Sequence, residues 1–348
     1  MTYFFRSPSS DRSPDPAAST RAGARTGHPH HTPSDEPSRS ASGSWTGSAS
    51  GAPTGPWPAA LHAAATRLAP LHRHWRDRPG WQRAVIGGAA SVALLHLSLC
   101  SYIYATQRHM LYKPQPRHLP AAENELRLDL DGRTLQITHR AATQAPPNEG
   151  LPGAARQPAL IYFGGNAEDV SLQLKRFVRL WPHRDLYLVH YRGWGDSSGR
   201  PTQAGLLADA LAVFDHVQAR HDDVAVIGRS LGSGVAIQVA AQRPASALVL
   251  VTPYDSIANV AREQMPFWVP VRWLLKDRWE SVLVAPRITV PTTVIQAEHD
   301  ETIGAERTQR LFEAFAPGVA KLRYLPGVDH TSVLFAPAYH RMLALAIV

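Results

Sequence analysis

The segment Gly228-Arg229-Ser230-Leu231-Gly232 follows the apolar run Val224-Ala225-Val226-Ile227 and precedes a helix-like stretch. A serine between a buried strand and a helix must sit on a sharp turn, and the residues two before and two after it must be small enough for backbones to pass closely. Gly228 and Gly232 meet that demand. Such a turn lifts the hydroxyl clear of the sheet and aims the free amides of the following helix at it, where they can stabilise negative charge. The chemistry this suits is nucleophilic attack on a carbonyl carbon, with Ser230 as the candidate nucleophile. The competing reading is a glycine-rich turn without chemistry. A nucleotide loop fits less well, because Gly228 to Ser233 lacks the lysine of a phosphate loop, and Gly232-Ser233-Gly234 lacks the third glycine of a dinucleotide fingerprint.

A serine hydroxyl is a poor nucleophile at neutral pH and needs a histidine base, itself oriented by a carboxylate. On a strand-to-helix elbow the chain order is serine, acid, histidine, each beyond the carboxyl end of a strand. Asp300 follows a candidate strand at Thr292 to Ala297, and His330 follows one at Lys321 to Leu325. Glu298, His299 and Glu301 are rivals within the loop of Asp300, and Asp255, after the strand Ala247 to Val251, is the alternative acid. A lone histidine is usually a surface or satisfied residue, but His330 completes a three-part order.

Acyl transfer also needs donors for the developing oxyanion. One is the amide of Leu231, next after the serine. The other is expected from Gly164-Gly165-Asn166-Ala167, after the strand Ala159 to Phe163, with the amide of Asn166 favoured and that of Gly165 as the alternative. Tyr191-Arg192-Gly193-Trp194-Gly195-Asp196-Ser197-Ser198-Gly199 is a second glycine-rich loop. Its expected role is structural, with Arg192 and Asp196 paired to brace the elbow and Trp194 bordering the substrate pocket.

These loops need a frame. Short runs rich in Val, Ile, Leu and Tyr alternate with helical patterns, which predicts an α/β fold with a mostly parallel central sheet flanked by helices. Further strands are expected at Leu186 to Tyr191 and Val224 to Gly228, with an antiparallel pair, Glu125 to Leu130 and Arg133 to His139, turned by Asp131-Gly132. Helices are expected at about 167–181, 203–220, 231–242, 304–316 and 333–346. The rhythm breaks over 256–288, where Met265, Phe267, Trp268, Trp273, Leu274, Leu275 and Trp279 mix with prolines and charges. This predicts a partial cap in which Phe267 and Trp268 supply an apolar substrate wall, while most of its aromatic residues pack a core.

The 348 residues divide into a Ser/Pro/Arg-rich tail and basic juxtamembrane segment over 1–83, a transmembrane helix over 84–105 and a catalytic domain over 106–348. Residues 1–58 carry no apolar periodicity and are expected to be disordered. Their histidines, His28, His30 and His31, read as a solvated run rather than a metal site. The stretch AVIGGAASVALLHLSLCSYIYA at 84–105 is uncharged and long enough to cross a bilayer, a buried core helix being the alternative. Five arginines over 64–83 against Arg108, Lys113 and Arg117 after the span put the N-terminus in the cytoplasm and the catalytic domain outside. A cleaved signal peptide does not fit the preceding residues, and leucine before Cys100 is a poor lipoprotein box. As the single cysteine, Cys100 forms no intrachain disulfide.

The net charge of +8 is concentrated in the tail, where residues 1–83 hold ten arginines against five acids. The remaining chain is nearly balanced and offers no basic stripe, so nucleic acid is not expected as a partner. Arg73, Arg76, Arg78 and Arg83 with Trp75 and Trp81 suit an anionic membrane surface.

With these residues in place, the region from about Gln107 to the C-terminus resembles the α/β hydrolase superfamily, and within it the Bem46-like branch of membrane-anchored serine hydrolases. The resemblance rests on Arg108-His109-Met110-Leu111-Tyr112-Lys113-Pro114, Tyr162-Phe163-Gly164-Gly165-Asn166-Ala167-Glu168, Tyr191-Arg192-Gly193-Trp194-Gly195, the Ser230 elbow, Asp300 and His330. Gly164 stands where that branch usually has histidine before Gly-Asn. The resemblance implies an α/β-hydrolase fold and hydrolysis of esters or thioesters through a covalent acyl-enzyme, on a lipid-like substrate or an acylated protein. Ser230, His330 and Asp300 would be the triad, and no metal or organic cofactor is called for. Two other readings stand beside it: a serine aminopeptidase-like amide hydrolase, and a catalytically idle hydrolase fold serving as a membrane-tethered scaffold.

Overall fold

The computed structural model of the protein describes residues 75–118, 125–144 and 156–347. The disordered segment expected over 1–58, with its histidine patch, lies outside the described residues. Two compact units divide the chain, one of them Ser7–Leu95 and the other containing His96–Val348.

Helix α1 (Gly80–Leu111) begins ahead of the expected span and continues past Ala105. No acidic residue occupies its first turn, and its middle is a run of small and aliphatic residues. The catalytic sheet follows, with strands β1 (Glu125–Leu130), β2 (Arg133–Arg140), β3 (Ala159–Phe163), β4 (Asp185–Val189), β5 (Val224–Arg229), β6 (Ala247–Val251), β7 (Thr292–Ala297) and β8 (Ala320–Leu325). They form one sheet in the order β1-β2-β4-β3-β5-β6-β7-β8. The first two pair antiparallel, as does β2 with β4, and every other pair is parallel. Asp131 and Gly132 both have positive φ, which is what a two-residue hairpin turn with the right twist demands.

Helices cover both faces of the centre of the parallel part, which is why β3, β5 and β6 are nearly continuous apolar runs, whereas the edge strand β8 carries Lys321 and Arg323. They are α2 (Leu174–Leu180), α3 (Gln203–Gln218), α4 (Leu231–Ala240), α5 (Ile257–Gln264), α6 (Val271–Leu274), α7 (Ala305–Glu313) and α8 (Pro337–Ala346). Ile161, Phe163, Val226, Leu248 and Val294 point to one face and pack with α3, α4 and Leu311 of α7. Their neighbours Leu160, Tyr162, Ile227, Val249 and Ile295 point to the other, against Phe177, Trp181, Tyr339 and Leu343. Burying each large apolar side chain fully contributes about 1.5–3 kcal/mol relative to leaving it exposed. The two cores fix the sheet, and the sheet fixes the ends of β3, β5, β7 and β8.

The helix expected over 167–181 is split into a 3-10 turn at Val170–Gln173 and α2, because the Asp169 side chain accepts from the Ser171 amide and caps the first piece. The last expected helix is likewise divided, with a 3-10 turn at Ser332–Phe335 ahead of Pro337.

Candidate active site

Ser230 follows β5 with φ 49° and ψ −117°, a strained conformation for a residue with a side chain. The surrounding glycines make it possible. A Cβ on Gly228 would lie 2.3 Å from the carbonyl oxygen of Gly232, and one on Gly232 would lie 2.0 Å from that of Phe163. Neither approach is tolerable, so the elbow requires glycine at both positions. The Ser230 amide donates to the Val251 carbonyl on β6 at 2.9 Å, and the Ser233 hydroxyl donates to the Ser230 carbonyl, so the turn is held from two sides.

His330 Nε2 lies 2.9 Å from Ser230 Oγ, and His330 Nδ1 lies 2.7 Å from Asp300 Oδ2. The carboxylate cannot donate, so Nδ1 carries the proton toward Asp300 and Nε2 is left to accept from the serine hydroxyl. Asp300 is held in turn: its Oδ1 accepts from the amides of Thr302 and Ile303 at 3.0 and 2.7 Å. The histidine loop is shaped by Asp329, whose side chain accepts from the Thr331 and Ser332 amides at 2.8 Å each.

The structure separates the rival acids from the histidine. Glu298 accepts from the Gly327 amide, His299 faces Glu298, and Glu301 is exposed. Asp255 is fully buried, pairs with Arg307 at 2.9 Å and accepts from Asn259 Nδ2 and the Ser256 amide. Its oxygens are occupied by structural partners.

The loop expected to supply an oxyanion donor follows β3. The amide of Gly165, the expected alternative donor, is taken by Glu168 Oε2 at 2.7 Å, which removes it from the list. Among the described residues no acceptor lies on the amides of Asn166 or Leu231. The side chain of Asn166 is clamped to the end of α1, accepting from the Lys113 amide at 2.9 Å and donating to the Leu111 carbonyl. Its carbonyl accepts from the Trp194 indole at 3.0 Å, and the Tyr191 hydroxyl donates to the Gly164 carbonyl at 2.8 Å. Burial holds the Tyr191 phenol well above its ordinary pKa, so it remains a donor.

Under the site runs a buried ion pair that sequence reasoning missed. Glu168 accepts from Tyr162, Gln173, Gly165 and Arg229, and Arg229 also donates to the His330 carbonyl at 2.7 Å. Burial works against the charge of Arg229, but Glu168 beside it more than offsets this, and its pKa is raised. The signal in the sequence was a charged residue closing an otherwise apolar strand, which implies a buried partner of opposite sign.

Two expectations about the surrounding loops are corrected. Arg192 does not pair with Asp196; it makes a fork to Asp209 on α3 at 2.7 and 2.6 Å, while the Asp196 amide donates to Gln136. Trp194 is buried edge-on between Tyr112 and Tyr191 and acts on the oxyanion loop from behind, rather than as an open pocket wall. Phe267 is 97% exposed and Trp268 is half-exposed, so any apolar substrate wall they supply is an open surface of the cap and not part of its packed core.

A protein-family model described as "Serine aminopeptidase, S33" matches residues 182–285. An uncharacterized protein of Mycobacterium tuberculosis is 33% identical over 250 residues, covering 69% of this chain and 86% of its own length. The lysophosphatidylserine lipase ABHD12 of Rattus norvegicus is 29% identical over 223 residues, covering 55% of this chain and 56% of its own length. The chain thus spans about half of that relative. Among solved structures, Est1E from Butyrivibrio proteoclasticus with ferulic acid bound superposes with a TM-score of 0.50 at 19% identity, covering 64% of this chain and 99% of that one. Strand order, elbow and relatives agree, and the chain belongs to the α/β hydrolase superfamily.

Proposed function

We propose that the protein is a membrane-anchored serine hydrolase, of the Bem46-like branch, that cleaves carboxylic ester or thioester bonds of an acyl substrate. The observation that carries this reading is the continuous relay from Ser230 Oγ through His330 to Asp300, seated on a strained elbow beside two amides that have no acceptor among the described residues. His330 Nε2 takes the proton of Ser230 as Oγ attacks the acyl carbon. The amides of Leu231 and Asn166 donate to the tetrahedral oxyanion. His330 then gives its proton to the leaving alkoxide or thiolate, the acyl group remains on Oγ, and water attacks it with His330 as base. The products are a carboxylic acid and free Ser230.

A lipid acyl ester is the substrate class favoured by two observations. The relative named above is a lysophosphatidylserine lipase, and α1 carries an apolar window of mean hydropathy 1.7 with only 6% of it buried. An unburied apolar helix of that length suits a bilayer. An aminopeptidase needs a carboxylate free to bind the substrate ammonium. Glu168, the carboxylate of the oxyanion loop, is already saturated by four donors.

Purified full-length protein should hydrolyse p-nitrophenyl esters, and Ser230→Ala and His330→Ala should each abolish turnover while remaining folded. Ester turnover that persists in Ser230→Ala would contradict the reading.

A further inference from the structure

The cap carries a feature that the chemistry does not use. Its segment Met265 to Val271 reads Met-Pro-Phe-Trp-Val-Pro-Val, without a charge. Val269 and Val271 are buried in a cluster with Ile103, joined by Leu99, Met265, Leu274 and Leu275. The Trp268 ring lies edge-on to His96 at 5.7 Å between centroids. At about 1.5 Å of rise per residue, His96 lies about 14 Å short of Ala105 along α1. The cap therefore reaches well back along the apolar helix from its expected exit at Ala105.

Polar contacts fix that register at the exit. Gln107 donates to the Leu274 carbonyl at 2.9 Å and accepts from the Lys276 amide at 2.7 Å, and Arg108 pairs with Asp277 at 2.8 Å. Apolar contacts at the levels of residues 96–103 and polar ones at 107–108 match the gradient from acyl chains to headgroups. On its free side the cap leaves Phe267 at 97%, Trp273 at 87% and Trp268 at 47% exposure. The same half of α1 exposes Leu97 and Tyr102, and Lys276 sits 3.8 Å from the centre of the Tyr104 ring. Arg262, Arg272, Lys276 and Arg278 flank the uncharged segment, where anionic headgroups would meet them.

We propose that the edge of the cap from Met265 to Trp273 inserts into the interfacial layer of the bilayer beside α1, as a wedge that presents the catalytic domain to lipid esters of that leaflet. The proposal rests on the reading of α1 as a membrane span and deepens it. Large aromatic side chains with cationic neighbours are the composition of interfacial segments. A soluble surface would leave Phe267, Trp268 and Trp273 in water, whereas the register on α1 sets them at the depth of the interfacial layer.

The test uses the full chain in vesicles of equal parts phosphatidylethanolamine and phosphatidylglycerol. In a Cys100→Ala background, an environment-sensitive fluorophore is attached to Phe267→Cys, to Leu97→Cys on α1, or to Lys321→Cys on the exposed part of β8. Lipids bearing a nitroxide on the acyl chain should quench the probes at 267 and 97 by about twofold or more and leave the probe at 321 unchanged. Quenching at 97 without quenching at 267 overturns the wedge while the anchor stands. Failure at both positions overturns the anchor reading and the wedge with it. Crosslinking between two copies through position 267, with no quenching there, overturns the wedge in favour of a second copy as occupant.

Discussion

Arg229 and Glu168 form a buried ion pair at 3.0 Å that joins the elbow to the oxyanion loop, and the second guanidinium nitrogen of Arg229 holds the backbone of His330. One side chain therefore connects the three loops of the candidate site. Removing one partner of a buried pair leaves an uncompensated charge, at a cost of about 3–5 kcal/mol. Arg229→Met should lose about that much stability in chemical denaturation, with Arg229→Lys recovering part of it. An Arg229→Met protein as stable as wild type would show that the pair is not a structural tie.

Asp300→Asn should lower kcat on the order of 10⁴-fold, as loss of the charge opposite His330 disfavours the imidazolium and its tautomer. Asp255→Asn should leave kcat close to wild type and cost about 1–3 kcal/mol of stability, because the carboxylate serves Arg307. Steady-state kinetics and urea denaturation on the two variants separate the roles. A loss of kcat confined to Asp255→Asn would reverse the assignment.

Asn166 is clamped by its side chain to Leu111 and Lys113, so its amide is aimed by the end of α1. Asn166→Ala keeps the amide and loosens its aim. On a soluble p-nitrophenyl ester kcat should fall about tenfold to a hundredfold with KM nearly constant, since misplacement by about 1 Å has effects of that order. A change in KM alone would mean that the residue binds substrate.

His190 provides a pH signature of stability. It is buried beside Thr138 Oγ1 at 2.9 Å, and burial pushes its pKa down from 6.5 to about 4. The folded protein thus disfavours the charged form that the unfolded chain accepts. Its stabilising contribution is complete above pH 6.5 and is lost as pH falls through about 4, amounting to about 3 kcal/mol. Thermal denaturation across that range should show wild type losing more stability than His190→Asn. Parallel curves would contradict the assignment.

The sheet, and the loops that bring Ser230, Asp300 and His330 together, were legible in the sequence for a physical reason. Strands such as Ala159–Phe163 are covered on both faces and appear as unbroken apolar runs, and the sheet fixes which loops follow them. Ser230 lies directly beyond such a strand, while Asp300 and His330 follow the more polar β7 and β8 at that edge of the sheet. The pairings around them were not legible, because they join residues far apart in the chain. Arg192 finds Asp209 on the next helix rather than Asp196 in its own loop, and Arg229 meets Glu168 across the sheet. The cap misled for another reason. Apolar composition signals burial against something, and Phe267 and Trp273 carry no information about whether that is a core, a substrate or a bilayer.

If Ser230 is a nucleophile activated by His330, it reacts with a serine-directed phosphonylating agent. Full-length protein should be treated with a fluorophosphonate and the adduct located by peptide mass spectrometry. A single stoichiometric phosphonyl adduct should form on Ser230, lost in Ser230→Ala and strongly slowed in His330→Ala. Folded wild-type protein that takes up no label, or takes it up at another residue, would contradict it.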